Sequence, residues 1–245
     1  MLSMDLHDEP VLTRPTETTV AFHLLGTPGY RACRELEREL AEQASLLGRA
    51  TILLCEHAPL ITVGRQGSWG DIGLTVAELQ RRNLAVQWVS RGGGSVLHGP
   101  GQLAVYPVVP LDWFGWSEEE LESRLLKGIA TALEQMGFPC QASAGHHGIW
   151  GRSGQLVASG VDSLERASRF GAYLNVHPRM KDGRYLETTR RPPPGARSGA
   201  MSCLLAEQQR PVKMSTVRSV VIEHLARQLG SDDYHLYTGH PHLGI

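Results

Sequence analysis

The sequence predicts a single α+β domain, and three observations carry that prediction. The 245 residues are 41% apolar and 20% charged, a balance that suits one globular unit able to bury a core without disulfides or metals. Short strand-like runs and longer helical runs follow one another without strict alternation, which argues against a doubly wound parallel sheet. No internal repeat and no low-complexity linker interrupts the chain. We therefore place one domain over residues 18–230, after a polar, frayed segment 1–17 and before a His-rich tail 231–245.

The elements read in order as follows. Val20 to Leu25 is a short apolar strand. Thr27-Pro28 then predicts an N-cap and first helical residue. Tyr30, Cys33, Leu36, Leu40, Ala44 and Leu47 recur at helical spacing until Gly48 stops the run. Strands follow at Thr51–Glu56 and Leu60–Gly64. Thr75 with Glu78 forms a capping box ahead of a short helix. Val86–Ser90 and Gln102–Val109 are further strands. Ser117 with Glu120 opens an amphipathic helix ending at Gly137. Gly148–Gly151 and Leu156–Val161 pair as a hairpin around Arg152-Ser153-Gly154. Tyr173–Val176 is a strand, Lys181–Gly199 a basic, proline-rich loop, and Ser215 caps a last helix running to about Gly230.

Composition excludes several function classes. A formal net charge of −1 exerts no global pull on nucleic acid or on a membrane surface, so charge-based recognition must be local. Four cysteines, Cys33, Cys55, Cys140 and Cys203, form no CxxC pair, which fits free thiols in a reducing, cytoplasmic setting. The first residues lack the basic and apolar regions of a secretory signal, and no apolar run is long enough to span a bilayer. His235, His240 and His242 lack acidic or thiol companions, so we expect no metal and no cofactor. His146-His147 reads as a polar turn, and Trp113 and Trp116 as cover for a hydrophobic edge. The expected state is a monomer.

One stretch stands apart: Arg91-Gly92-Gly93-Gly94-Ser95-Val96-Leu97-His98-Gly99-Pro100-Gly101-Gln102. Consecutive glycines let a backbone adopt unusual dihedrals and approach a ligand closely, and free amides there suit an anionic or carbonyl oxygen. Arg91 and His98 bracket the loop with a fixed positive charge and an acid/base candidate. A plain glycine-rich turn is the competing reading. The second cluster, His-Gly-Pro-Gly-Gln, leading straight into an apolar strand favours a ligand loop.

RGGGSVLHGPGQLAVYPVVPL resembles the signature of the lipoyl(octanoyl) transferases, RGG-x-x-T-x-HGPGQL followed by a YP strand. The likeness continues through LLCEHAPLITVGRQGS (53–68), GIWGRSGQLVASGV (148–161), which resembles GVW…KIAAIGV, FGAYLNV (170–176), which resembles HGLALNV, and RPVKM (210–214). The resemblance implies the fold shared by biotin and lipoate ligases, a mixed sheet flanked by helices. It implies transfer of an octanoyl group from acyl carrier protein to a lysine of a lipoyl domain, with those two proteins as partners. It implies substrate contacts at Arg91, Gly92, Gly93, Gly94, Ser95, Val96, Leu97 and His98, then at Ala158, Ser159 and Gly160, then at Gly171, Ala172 and Tyr173.

The family's nucleophilic Cys and its companion Lys have no counterpart. A thioester is attacked well only by a thiolate, and a nearby ammonium lowers the thiol's pKa. Gln155 stands where KIAAIGV has Lys, and Pro194, within Pro192-Pro193-Pro194-Gly195, stands where the family has Pro-Cys-Gly. Cys203 is the candidate displaced nucleophile, because a thiolate at a helix N-terminus is favoured by the local dipole. A small buried residue is the competing reading. Lys181 and Cys140 are weaker substitutes. Arg184, Arg190, Arg191 and Arg197 give the long loop a basic character that suits acidic carrier or lipoyl domains. Two functions stand: an octanoyltransferase using displaced chemistry, or a degenerate homologue that binds an acyl chain, carrier protein or lipoyl domain without transfer. An ATP-dependent ligase is a weaker third, since it too needs a Lys at Gln155.

Overall fold

The computed structural model of the chain describes residues 20–188, 192–196, 200–231 and 233–244. The segment 1–17, expected to fray, and three of the four loop arginines, Arg190, Arg191 and Arg197, lie outside the described residues. The first half runs β1 (Val20–Leu24), α1 (Tyr30–Leu47), β2 (Ala50–Cys55), β3 (Leu60–Val63), α2 (Val76–Arg81), β4 (Ala85–Trp88), β5 (Ser95–His98), β6 (Gln102–Val108), α3 (Leu111–Phe114) and α4 (Glu118–Gln135). The second half runs β7 (Gln141–Ser143), β8 (Gly148–Trp150), β9 (Gln155–Leu164), β10 (Ala167–Asn175), α5 (Leu204–Gln208), α6 (Met214–Gln228) and β11 (Tyr234–Thr238).

Eight strands form one mixed sheet in the order β11-β1-β2-β6-β10-β9-β8-β7, and β4-β3-β5 form a small second sheet. β1 pairs in parallel with both β2 and β11, whereas β2, β6, β10, β9, β8 and β7 pair antiparallel in turn. The α+β class follows directly. Alternation along the central strands divides the large sheet's two faces. Ile52, Leu54, Leu103, Val105, Ala172 and Leu174 face α4 and α6, meeting Leu121, Leu125, Ile129, Val221 and Leu225. Leu53, Cys55, Ala104, Tyr106 and Tyr173 face α1, meeting Cys33, Leu36, Leu40, Ala41 and Ala44. Each fully buried Leu or Ile in these layers contributes roughly 1.5–3 kcal/mol.

Local signals explain most boundaries. Gly48, at φ 66°, closes α1 by donating its N–H to Ala44 O at 2.9 Å. Thr75 and Glu78 form the reciprocal capping box of α2, and Ser117 accepts from the Glu120 amide at the start of α4. The β9–β10 hairpin turns on Glu165 and Arg166, both at positive φ, which matches the twist of the flanking strands.

Four expectations need correction. α1 begins at Tyr30, because Gly29, extended at ψ 136°, takes the cap position that Thr27 was expected to fill. α6 is capped from Lys213 with no side-chain bond, so Ser215 lies inside the helix. Ser95–His98, read as loop, is strand β5, paired antiparallel to β3. The segment read as a tail contributes β11, the edge strand beside β1. The 181–199 segment is loop in its described part except for a 3-10 turn at Gly183–Tyr185, and it is pinned by Leu186, which packs on the small sheet beside Ile61 and Leu97.

Candidate functional site

The glycine segment lies where the small sheet meets β9 of the large one. The Gly92 N–H donates to Val161 O at 3.3 Å. A Cβ added to Gly160 would sit 2.1 Å from Gly92 O, and one on Gly93, at φ 77°, would sit 2.6 Å from Ser159 O. Backbone touches backbone there, and only glycine permits it. The loop's outer edge is clamped by Asp162, which accepts from Ser90 Oγ at 2.6 Å, Arg169 Nε at 2.9 Å and Arg65 at 3.0 Å. Burial would raise this carboxyl's pKa, but the hydrogen bonds from Ser90 and Arg169 overcome it and leave it lowered.

Beneath the loop runs a closed polar relay. Arg91, 0% exposed, donates to Gly92 O at 2.9 Å and to Thr62 Oγ1 at 2.8 Å. Thr62 Oγ1 lies 2.8 Å from His98 Nε2, and His98 Nδ1 lies 2.9 Å from Gln102 Oε1. Gln102 Nε2 donates to Leu97 O and to Asn175 Oδ1, each at 2.8 Å. The Gln102 oxygen must therefore accept from Nδ1–H of His98, which leaves Nε2 to accept from Thr62. Burial, followed by the charges of His57 and Arg91, holds the His98 pKa well below the usual range. His98 is thus a neutral, fully engaged structural residue, and the acid/base role expected of it is corrected on that ground. Tyr173 packs edge-on to His98 with centroids 4.6 Å apart.

Above the loop opens a pocket of about 520 Å³, lined by Gly93, Gly94, Val96, Ala158, Ser159, Gln155, His146, His147 and Thr188 among others. Five of the residues expected to contact substrate therefore line one space. Gln155 faces it as a neutral, bonded group: Thr188 Oγ1 donates to its Oε1, and its Nε2 donates to His147 O at 3.4 Å.

The residues the sequence undervalued are His147 and Glu122. Glu122, on α4 and 5% exposed, accepts from Ser159 Oγ at 2.5 Å and from His147 Nδ1 at 2.9 Å. A carboxylate only accepts, so the imidazole proton sits on Nδ1. His147 stands in the left-handed region at φ 55°, ψ 55°, sparsely populated for a residue with a side chain. One signal for Glu122 was legible: a carboxylate on the apolar stripe Leu121, Leu125, Leu126 of an amphipathic helix.

The remaining expected contacts fall elsewhere. Arg91 and Ser95 are buried under the loop. Leu97 and His98, with Gly99 and Pro100, line a separate cavity of about 300 Å³ beside Lys181. Gly171 presses on Val105 O, and Ala172 is buried in the helix-facing core. Pro194 is exposed in a loop turn. Cys203 caps α5 but is 2% exposed, and burial pushes its thiol pKa up despite the amides of Ala206 and Leu205. Burial likewise pushes the Cys140 thiol up to about 11. Cys33, Cys55 and His57 bring three donor atoms within 4.8 Å of one another. The Arg34 guanidinium lies 4.0 Å from Cys33 Sγ, a fixed cation that opposes a bound metal ion.

Comparison with known proteins agrees with this geometry. Residues 30–226 match the model of the lipoyl protein ligase A/B catalytic domain. An octanoyltransferase of Chloroflexus aurantiacus is 34% identical over 165 residues, covering 65% of this chain and 74% of that protein. An octanoyltransferase of Porphyromonas gingivalis is 32% identical over 164 residues, and the match spans 62% of this chain but only 33% of that longer protein. In fold, a bipartite lipoate protein ligase from Thermoplasma acidophilum superposes with a TM-score of 0.65 at 14% identity, over 93% of this chain and 90% of its own. A lipoate-protein ligase A bound with ATP gives 0.66 at 13% identity, over 93% and 91%. The chain belongs to the lipoyl protein ligase A/B catalytic domain family.

Proposed function

We propose that this chain is an octanoyltransferase, moving an octanoyl group from acyl carrier protein to a lysine of a lipoyl domain. The observation that carries the reading is the pocket formed where Gly93 and Gly94 meet Ala158 and Ser159 of β9, which brings together two of the segments that resemble the transferases. Its relatives in Chloroflexus and Porphyromonas are octanoyltransferases, and the Thermoplasma ligase is described together with its E2 lipoyl domain as a lipoylation system.

The chemistry of the lining suits a carbonyl flanked by an apolar chain. The amides of Gly93 and Gly94 make no hydrogen bond among the described residues, so they are donors available to the oxygen of a thioester. Val96 and Ala158 supply apolar wall beside them. Arg91 holds this loop from below rather than touching the substrate. Gly160 and Gly92 keep the loop seated on β9.

The test mixes the full chain with octanoyl-acyl carrier protein and a lipoyl domain and follows the intact mass of the domain. A gain of one octanoyl group that depends on the chain supports the reading. Binding of both proteins without any gain replaces it with a non-catalytic acyl-binding role.

A further inference from the structure

We infer that His147 is the general base of this transfer, held by Glu122, and that the acyl group passes directly from thioester to amine without an acyl-enzyme. The inference rests on the octanoyltransferase reading and supplies the chemistry that Gln155 and Pro194 cannot.

Three observations meet at one point. His147 lines the pocket and its side chain is 28% exposed, whereas the Glu122 behind it is 6% exposed. With Nδ1–H committed to Glu122, the Nε2 lone pair carries no hydrogen bond among the described residues. Oriented imidazole with a buried carboxylate behind it is the arrangement that fixes the basic tautomer and stabilises the imidazolium as it forms. The ring also lies against the glycine loop: a Cβ on Gly92 would come within 3.2 Å of His147 Cε1, and one on Gly93 within 3.4 Å of its Cβ. A base so placed is next to the amides that would hold the thioester oxygen. Finally, His147 keeps a left-handed backbone, a conformation that costs free energy and concentrates at functional positions. Ser159, where the family motif KIAAIGV has Ile, donates the second hydrogen bond to Glu122 and so helps fix the carboxylate.

The step balances without a nucleophilic side chain. The acceptor lysine enters as the free amine, having lost its first proton to solvent. Its nitrogen attacks the thioester carbonyl, and a C–N bond forms as an amine proton moves to Nε2 of His147. The tetrahedral oxyanion collapses, the C–S bond breaks, and the departing thiolate takes the proton back from Nε2. The products are the octanoyl amide and the carrier thiol, and His147 is regenerated. Glu122 is a positioning residue in this scheme, and Cys203 has no part in it.

The test measures octanoyl transfer to a lipoyl domain by the full chain and its variants, with the intact mass of the chain recorded during turnover. His147→Ala should lower kcat by about a hundredfold with KM for octanoyl-acyl carrier protein unchanged, and added imidazole should restore part of the rate. Glu122→Gln should lower kcat by roughly tenfold or more, again at constant KM, and Glu122→Asp should recover much of it. Cys203→Ser should transfer at the parent rate, and no octanoyl adduct should form on the chain. Melting curves identify any variant that fails to fold, and imidazole rescue reports on the chemistry even where packing is disturbed. Unchanged kcat in a folded His147→Ala variant, or an octanoyl adduct lost in Cys203→Ser, overturns the inference while leaving the transferase reading intact. A parent chain that transfers nothing overturns both.

Discussion

The two sides of the glycine loop are built on opposite principles. Below it, Arg91, Thr62, His98, Gln102 and Asn175 hand hydrogen bonds from one to the next, and all five are nearly or fully buried. Above it, Gln155, His147 and Ser159 line a pocket, Glu122 accepts from the last two from behind, and one imidazole nitrogen has no hydrogen bond among the described residues. The residues that best match the family signature, Arg91 and His98, do structural work on the lower side. The positions that depart from it, Gln155 and Ser159, lie on the upper. The lesson is that a signature can mark the frame that shapes a site while the groups able to do chemistry are free to change above it.

The largest test of this contrast is Arg91→Ala. It removes a fully buried side chain, opens a cavity, and strips donors from Gly92 O and Thr62 Oγ1. We expect a loss of about 4 kcal/mol in urea unfolding. Arg91→Met keeps most of the volume and removes a buried charge, so it should lose clearly less. Equal losses would mean that the guanidinium's bonds, not its bulk, carry the frame.

A smaller effect should appear on acidification. Burial lowers the pKa of His57 to about 4 and that of His98 well below its ordinary value. Both groups are neutral in the folded chain and take up protons near pH 6.5 only when it unfolds. Depressed folded pKa values give stability that is complete above about pH 6.5 and is lost as pH falls through the folded value. For His57 alone that is on the order of 3 kcal/mol. The melting temperature should therefore drop by roughly 10 °C between pH 7 and pH 4, and His57→Gln should flatten the slope. A slope unchanged in that variant would place the acid sensitivity elsewhere.

The same contrast explains what was legible in the sequence. The frame was legible because its signals are local: RGGGSVLHGPGQ is contiguous, and the capping boxes Thr75–Glu78 and Ser117–Glu120 span single turns. β5 was missed because Ser95-Val96-Leu97-His98 is only four residues long and embedded in glycines. β11 was missed because Tyr234–Thr238 is an exposed edge strand with no alternation to betray it. The pair His147–Glu122 was missed for a different reason. The two residues lie in different elements, α4 and the turn before β8, and only the fold brings them within 2.9 Å. Cys203 was drawn toward catalysis by its cap position, and its burial could not be read from sequence.

The smallest expected effect is on the upper side, with Gln155→Lys. Gln155 is 2% exposed, and an ammonium introduced at a buried position with no partner would cost several kcal/mol. Here the side chain borders an open pocket with polar lining, and Thr188 Oγ1 and His147 O are its present partners. A lysine's flexible stem can keep Nζ toward that space while Nζ donates to the same oxygens. We expect a stability change within about 1 kcal/mol, or a melting shift of roughly 2–4 °C. The counterpart on the lower side is Thr62→Val, which keeps the shape, removes the hydroxyl, and leaves His98 Nε2 without its donor, at a cost of about 2 kcal/mol. A lysine at position 155 that destabilised more than the valine at position 62 would show the pocket side to be as tightly determined as the frame, and the division drawn between them would fail.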